Sequence, residues 1–196
     1  MFSDRIAFTP STKDDPEFCV HISDHHQLRL LQLSDAEPLF AQVNANRDYL
    51  MQWLSWLPTT QTVDDTRNFI RLTRDRFHSK QGFAAAILYE SSLVGVISLN
   101  GIDWSNHHSS IGYWLAAPFQ QKGIITLSCR AVITYAFNSL KLNRLTILCA
   151  SQNRRSQAIP QRLGFTHEGT LREAQWLYDH FVDHEVYSLL RREWKS

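Results

Sequence analysis

One stretch, Ile111–Phe137 (IGYWLAAPFQQKGIITLSCRAVITYAF), constrains the fold more than any other, because it reads as strand, loop and helix in immediate succession. Ile111 to Leu115 is apolar and aromatic, as suits a buried strand, and Pro118 closes it, having no N–H to give to a ladder. From Thr126 apolar residues recur at Leu127, Ala131, Ile133, Ala136, Phe137 and Leu140, the spacing of a helix with one buried face. Between them lies Gln120-Gln121-Lys122-Gly123-Ile124-Ile125-Thr126. A Gly at the foot of a helix, free backbone N–H groups, a Lys and a hydroxyl in the first turn supply what an anion such as a phosphate needs. On these residues alone, a strand–helix connection whose Gly serves only the turn is an equal alternative. The P-loop pattern and the dinucleotide-binding glycine pattern with its acidic partner are both absent.

The rest of the chain reads as alternating strands and helices. Leu28 and Leu30 share a face of a strand over His26–Leu33. Ser34, with Glu37 three residues on, makes a capping box for a helix to about Asn44. Asp48–Trp56 is a short aromatic helix ended by Pro58. Asp64-Asp65 opens a longer helix to about Ser79, with Arg71, Arg74 and Arg76 toward the end that favours cations. Phe83–Glu90 and Leu93–Asn100 form a hairpin about Ser91-Ser92, and His108–Leu115 follows. After the central helix come Arg144–Ala150 as strand, Ser156–Leu163 as helix, and Phe165–Leu171 and Phe181–Leu190 as strands. Single helices between strands, with antiparallel hairpins elsewhere, indicate one α/β domain on a mixed sheet. Residues 1–26 read as a polar, irregular segment and 27–196 as the domain.

Composition narrows the function classes. A hydrophobic share of 43% and a charged share of 20% over 196 residues are those of a globular protein with a proper core. A net charge of +1 gives no case for nucleic-acid binding. Cys19, Cys129 and Cys149 are odd in number and lack metal spacing, so they read as reduced thiols, with Cys129 and Cys149 packed in a helix and a strand; no metal is expected. The opening residues MFSDRIAFTPSTKDD carry no apolar run for a signal or a membrane span, which points to the cytoplasm.

Gln120-x-x-Gly123-x-Ile125 resembles the signature that the GNAT superfamily of N-acetyltransferases carries between a strand and a helix. Ile125 departs from the general signature but not from the subgroup that modifies ribosomal-protein amino termini, the RimL-like enzymes. The resemblance extends over Asn46–Pro58, Asp64–Ile70, Leu93–Asp103, Ile111–Leu115, Asn153–Leu177 and Phe181–Leu190, nearly the whole chain. It implies a single-domain GNAT fold: a mixed, mostly antiparallel sheet, splayed at the cofactor site after Leu115 and Ala150 and flanked by helices. It implies acetyl-CoA as cosubstrate. Backbone donors of Gln121, Lys122, Gly123, Ile124, Ile125 and Thr126, beside Gln120, would hold the pyrophosphate, and Leu115 would bond the pantetheine arm. Asn153 would bond that arm too, and Ser156 would protonate the leaving thiolate. Without the resemblance, Asn153 or Ser156 reads as a helix cap.

The proton acceptor is where this chain departs from its subgroup. RimL-like enzymes carry a Glu where Gln175 stands, and an amide takes up no proton at neutral pH. Either Glu173, on the same strand face if the segment is extended, or a water replaces it. Glu168 reads as structural. Pro160 falls where its missing N–H frees the carbonyl of Ser156. Arg154 and Arg155 fit either the cofactor's 3′-phosphate or plain solvation. Trp53, Trp56, Trp114 and Trp176 fit a substrate groove or, each taken singly and with better odds, the core. The resulting expectation is transfer of an acetyl group to a primary amine, first among them a ribosomal protein's N-terminal amine. A small amine (polyamine, antibiotic or aminoacyl nucleotide) and an acyl-CoA-binding module with little catalysis are the alternatives. Members of the subgroup often pair, which leaves a homodimer open.

Overall fold

The computed structural model describes the backbone of Ala7–Phe8 and residues 18–195. Among these residues nine strands form one sheet: β1 (Ala7–Phe8), β2 (Cys19–Ser23), β3 (His26–Leu30), β4 (Gly82–Tyr89), β5 (Ser92–Asp103), β6 (His108–Leu115), β7 (Arg144–Ala150), β8 (Thr166–Leu177) and β9 (His180–Leu190). Their spatial order is β1-β2-β3-β4-β5-β6-β7-β9-β8. Every neighbouring pair is antiparallel except β6 and β7. That exception follows from the connection: β6 returns to the sheet through a crossover helix, and such a connection leaves the two strands parallel.

Among the described residues five helices cover the two faces: α1 (Ala36–Ala45), α2 (Arg47–Met51), α3 (Val63–His78), α4 (Ile124–Asn138) and α5 (Arg154–Arg162). On one face α4 packs against β2, β5 and β6, and α5 against β7, β8 and β9; on the other, α3 packs against β4 and α1 against β5. The strand alternation serves both layers, as β6 shows: Tyr113 packs toward the α4 side and Trp114 toward α1 and α3. The larger core holds Leu28, Ile97, Val132, Ile133 and Phe137, all fully buried. Burying side chains of that size contributes about 1.5–3 kcal/mol each.

Several local expectations are corrected. Part of residues 1–26 lies outside the described residues, but Cys19–Ser23 is a strand with Val20 fully buried against Leu28, not irregular chain. The strand at His26 ends at Leu30, with Leu28 and Leu30 both buried as expected. Ser34 and Glu37 do not cap α1. Asp35 stands there instead, its carboxylate accepting from the Gln32 N–H at 2.8 Å and from both Arg29 guanidinium nitrogens at 2.7 and 2.8 Å. The capping box sits at α3: the Thr62 hydroxyl accepts from the Asp65 N–H and the Asp65 carboxylate from the Thr62 N–H. The second helix covers only Arg47–Met51, and the hairpin turn is Glu90-Ser91, both with positive φ, the conformation whose twist matches the flanking strands. β8 runs to Leu177, beyond the expected end at Leu171.

Candidate active site

The site begins where the sheet comes apart. β6 and β7 pair only through His108–Ser110 and Arg144–Thr146. Beyond that, Ile111–Leu115 is bonded to β5 alone and Ile147–Ala150 to β9 alone, so two strand edges face each other across a gap. The parting therefore begins after Ser110 and Thr146, earlier than the expected Leu115 and Ala150, so that Leu115, buried at the end of β6, already lies on a free edge; the Ala116 N–H turns back to the Val94 carbonyl at 2.8 Å.

At the mouth of this gap stands the N-terminus of α4. The helix starts at Ile124, two residues before the expected Thr126, with Gly123 as its N-cap at φ 76°. That left-handed conformation costs a side-chain-bearing residue about 1–2 kcal/mol. A Cβ on Gly123 would meet nothing within 4 Å, so the glycine serves the turn and leaves open space in front of the first N–H groups. Gln121 also has positive φ. Ile124 and Ile125 point into the core, which fixes the first turn with its backbone donors outward. The first helical bond is Leu127 N–H to Gly123 carbonyl, so the N–H groups of Ile124, Ile125 and Thr126 have no intrahelical acceptor.

Cations gather at that end, and the first turn carries no acidic residue. The Lys122 ammonium lies over the rings of Phe119 and Tyr89, 5.4 and 5.7 Å from their centres. Arg155 donates to Gln120 Oε1 at 3.1 Å, and Arg162 donates to the Thr126 hydroxyl at 2.9 Å. Arg162 escaped the sequence reading because its partner is 36 residues away on another helix. Dipole, free donors and cations together make an anion-binding end.

Asn153 and Ser156 follow β7 on the α5 side of the gap. Asn153 is the helix cap, its Oδ1 accepting from the Ser156 N–H at 3.1 Å, which leaves both donors of its amide NH2 for a ligand. α5 continues through Pro160, and the Ser156 carbonyl that Pro160 cannot serve accepts from the Tyr113 hydroxyl at 3.1 Å. The Ser156 hydroxyl in turn lies 3.4 Å from the Tyr113 oxygen and 3.2 Å from the Cys149 sulfur. Burial pushes the Cys149 thiol up to about 11, so it stays protonated at neutral pH beside Ser156 Oγ, and either group can donate in that contact. Burial, with the thiols of Cys129 and Cys149 beside it, also holds the Tyr113 phenol well above its usual value. Thus Ser156 is a hydroxyl in a row of neutral proton carriers, Cys149–Ser156–Tyr113, drawn from two splayed strands and a helix.

Glu173 and Gln175 both lie on β8, and here the premise of an extended segment fails. Between Leu171, opposite His184, and Gln175, opposite Val182, β8 places Arg172, Glu173 and Ala174 against Asp183 alone. Glu173 takes φ 50° and gives its N–H to the Asp183 carboxylate at 2.7 Å. This bulge cancels the two-residue periodicity that would have set Glu173 beside Gln175. Glu173 instead lines a cavity of about 430 Å³ with Gln52, Trp53, Gln152, His180 and Asp183. Gln175 donates to Ser55 Oγ at 2.8 Å and its Oε1 lies 3.0 Å from His184 Nε2. Burial lowers the pKa of His184 below the usual histidine value, which keeps the ring neutral at pH 7. Nothing in the sequence singled out His184.

Of the tryptophans, Trp56 and Trp114 line a larger cavity of about 610 Å³ beneath α1 and α3, whereas Trp176 packs on Phe181 with both rings half exposed. Glu168 is structural: its carboxylate accepts from Arg144 and from Ser188 at 2.7 Å, and Arg144 and Ser188 hold it down to about 2. Among the described residues no group of three or more His, Cys, Asp or Glu is placed to hold a metal, and no helix is long and apolar enough to cross a membrane.

Residues 26–166 match the family model of an acetyltransferase (GNAT) domain. The chain is 40% identical to YdaF of Bacillus subtilis, over 91% of this chain and 98% of that protein. It is 31% identical to the ribosomal-protein-serine acetyltransferase of Escherichia coli K12, over 86% of this chain and 94% of that protein. Among solved structures it superposes with a TM-score of 0.84 and 28% identity on RimL, a ribosomal L7/L12 α-N-protein acetyltransferase in complex with coenzyme A in a cysteine disulfide, over 87% of this chain and 96% of that one. The microcin C7 self-immunity acetyltransferase MccE, in complex with acetyl-CoA and AMP, superposes with a TM-score of 0.82 and 31% identity, over 86% and 93%.

Proposed function

From the premise that this chain belongs to the GNAT family of acetyltransferases, and so moves an acetyl group from acetyl-CoA to an amine, we propose that its acceptor is the N-terminal amine of a ribosomal protein. The observation that carries the cofactor part is the pairing of the β6/β7 gap with the bare N-terminus of α4. The N–H groups of Gly123 to Thr126, with Gln120, Gln121 and Lys122 about them, receive the pyrophosphate, and Arg162 and Arg155 add charge. The pantetheine arm lies in the gap against the free edges of Leu115 and its neighbours, with the Asn153 amide as a further donor. Its sulfur then meets Ser156, whose hydroxyl gives the departing thiolate a proton. That RimL and MccE, which superpose on this chain, are held in complex with coenzyme A and acetyl-CoA supports this reading.

The acceptor assignment rests on the relatives that are ribosomal-protein acetyltransferases. The test is thiol release from acetyl-CoA with a peptide bearing a free N-terminal serine, beside spermidine, an aminoglycoside and an aminoacyl adenylate analogue. The peptide is expected to turn over fastest; a small amine outpacing it would move the acceptor class, and no turnover with any amine would leave a binding module.

A further inference from the structure

Gln175 is engaged at both ends of its amide, by Ser55 at 2.8 Å and His184 at 3.0 Å. With Nε2 of the amide donating to Ser55, the amide oxygen faces the ring, and an amide oxygen only accepts. His184 therefore carries its proton on Nε2 and keeps the lone pair on Nδ1, which has no hydrogen-bond partner among the described residues. The strand registers place the ring. His184 stands opposite Ala150, the last residue of β7, and opposite Leu171 of β8, on the face away from Cys149. Ser156 is bonded to Cys149 on the other face. The Ser156 hydroxyl and the His184 ring thus lie on opposite faces of the sheet at the end of β7, beside the mouth of the gap.

Resting on the acetyl-transfer reading above, we propose that His184 accepts the proton of the incoming ammonium, with Gln175 and Ser55 as positioning residues that fix its ring and tautomer. The substrate arrives as R–NH3⁺. One proton passes to Nδ1 of His184 and on to solvent. The freed lone pair forms the C–N bond at the thioester carbonyl, and the C–S bond then breaks. The sulfur takes a proton from Ser156, which is reloaded through water by the second proton lost from nitrogen as the amide forms. One acetyl group moves and one proton is released per turnover.

The charges around the ring suit a neutral base. On β9, Asp183 is bonded to the Glu173 N–H, and Glu185 points to the other face, bonded to Ser151, Thr170 and His167. β8 adds Arg172 and Glu173 in its bulge, while β7 and the segment after α2 present Ala150, Leu148 and Ser55, none ionisable. A carboxylate at position 175 would favour the imidazolium and take the base out of service near neutrality; an amide orients the ring without charging it.

The experiment is the dependence of kcat/KM on pH, from about pH 5 to about pH 9, for wild type, His184→Gln and Gln175→Glu, with a serine-initiated peptide as acceptor and coenzyme A affinity measured in parallel. Wild type is expected to lose activity through an acid limb below about pH 6.5. His184→Gln should bind coenzyme A as wild type does, lose about 10²-fold in kcat/KM and lose that limb. Gln175→Glu should move the limb to higher pH. A His184→Gln enzyme with wild-type rate and profile overturns the proposal and leaves the acetyl-transfer reading standing. If His184→Gln no longer binds coenzyme A, the Gln175→Glu limb decides, and an unmoved limb overturns the proposal. Wild type inert toward every amine overturns both.

Discussion

The Tyr113 hydroxyl holds a carbonyl that the helix itself has abandoned, and removing it should be costly in a way that Pro160 controls. Pro160 deprives the Ser156 carbonyl of its helical donor, and Tyr113 supplies one at 3.1 Å. Tyr113→Phe keeps the ring and deletes that donor, together with the longer contact at 3.4 Å from the Ser156 hydroxyl, a loss that is the same whichever residue stands at 160. An acceptor left unsatisfied in a part-buried setting costs about 1–3 kcal/mol. Pro160→Ala removes some buried ring but returns an N–H at the position that bonds the same carbonyl. In the double variant the new N–H takes over from the lost hydroxyl. Urea denaturation of wild type, both single variants and the double variant should therefore show Tyr113→Phe costing less by about 0.5–1.5 kcal/mol when Ala stands at 160. Costs that add to within about 0.5 kcal/mol would refute the reasoning, since two groups serving one carbonyl cannot be independent.

Ser156→Ala is predicted to lower the acetyl-transfer rate by about 10²-fold while leaving coenzyme A affinity near wild type, read from single-turnover thiol release beside calorimetry. Gly123→Ala should cost about 1–2 kcal/mol in denaturation through its left-handed φ alone, and Gly123→Glu should in addition weaken coenzyme A binding at least tenfold by filling the open space with negative charge. His26, buried on β3 with Nε2 3.0 Å from Ser128 Oγ of α4, has its pKa lowered by burial to about 4. The unfolded chain binds a proton near pH 6.5 and the folded one does not, so this stabilisation is full above about pH 6.5 and declines as pH falls toward about 4, by up to about 3 kcal/mol. His26→Gln should flatten the stability curve over that window; an unchanged slope would show that the ring is not held neutral.

Features written into contiguous chain were legible, and features made by distant contacts were not. Gly123 announced itself, because a residue with positive φ at the foot of a helix leaves a mark in any sequence. The strands ending at Leu115 and Ala150 were readable from apolar runs and their endings, whereas the splay between them and the placement of Asn153 and Ser156 came from the resemblance, and pairing stops earlier than it implied, at Ser110 and Thr146. Tyr113, Arg162 and His184 passed unnoticed since each acquires its role from a partner on another element, Ser156, Thr126 and Gln175. Glu173 was misjudged for a related reason. Its segment reads as plain strand, and the three-for-one bulge is held by a contact across the ladder, the Glu173 N–H on the Asp183 carboxylate. β2 was passed over because CVHIS is short and flanked by polar chain, though Val20 is completely buried once β3 pairs with it.

The central claim is that coenzyme A lies in the β6/β7 gap with its pyrophosphate on the first turn of α4. Backbone amide resonances of a 15N-labelled chain, followed during titration with coenzyme A, test it directly. The N–H signals of Gly123, Ile124, Ile125 and Thr126 are predicted to shift most, together with the Asn153 side-chain amide, and to stay still in Gly123→Glu at the same ligand concentration. Saturable binding of coenzyme A with those signals unmoved would contradict the account.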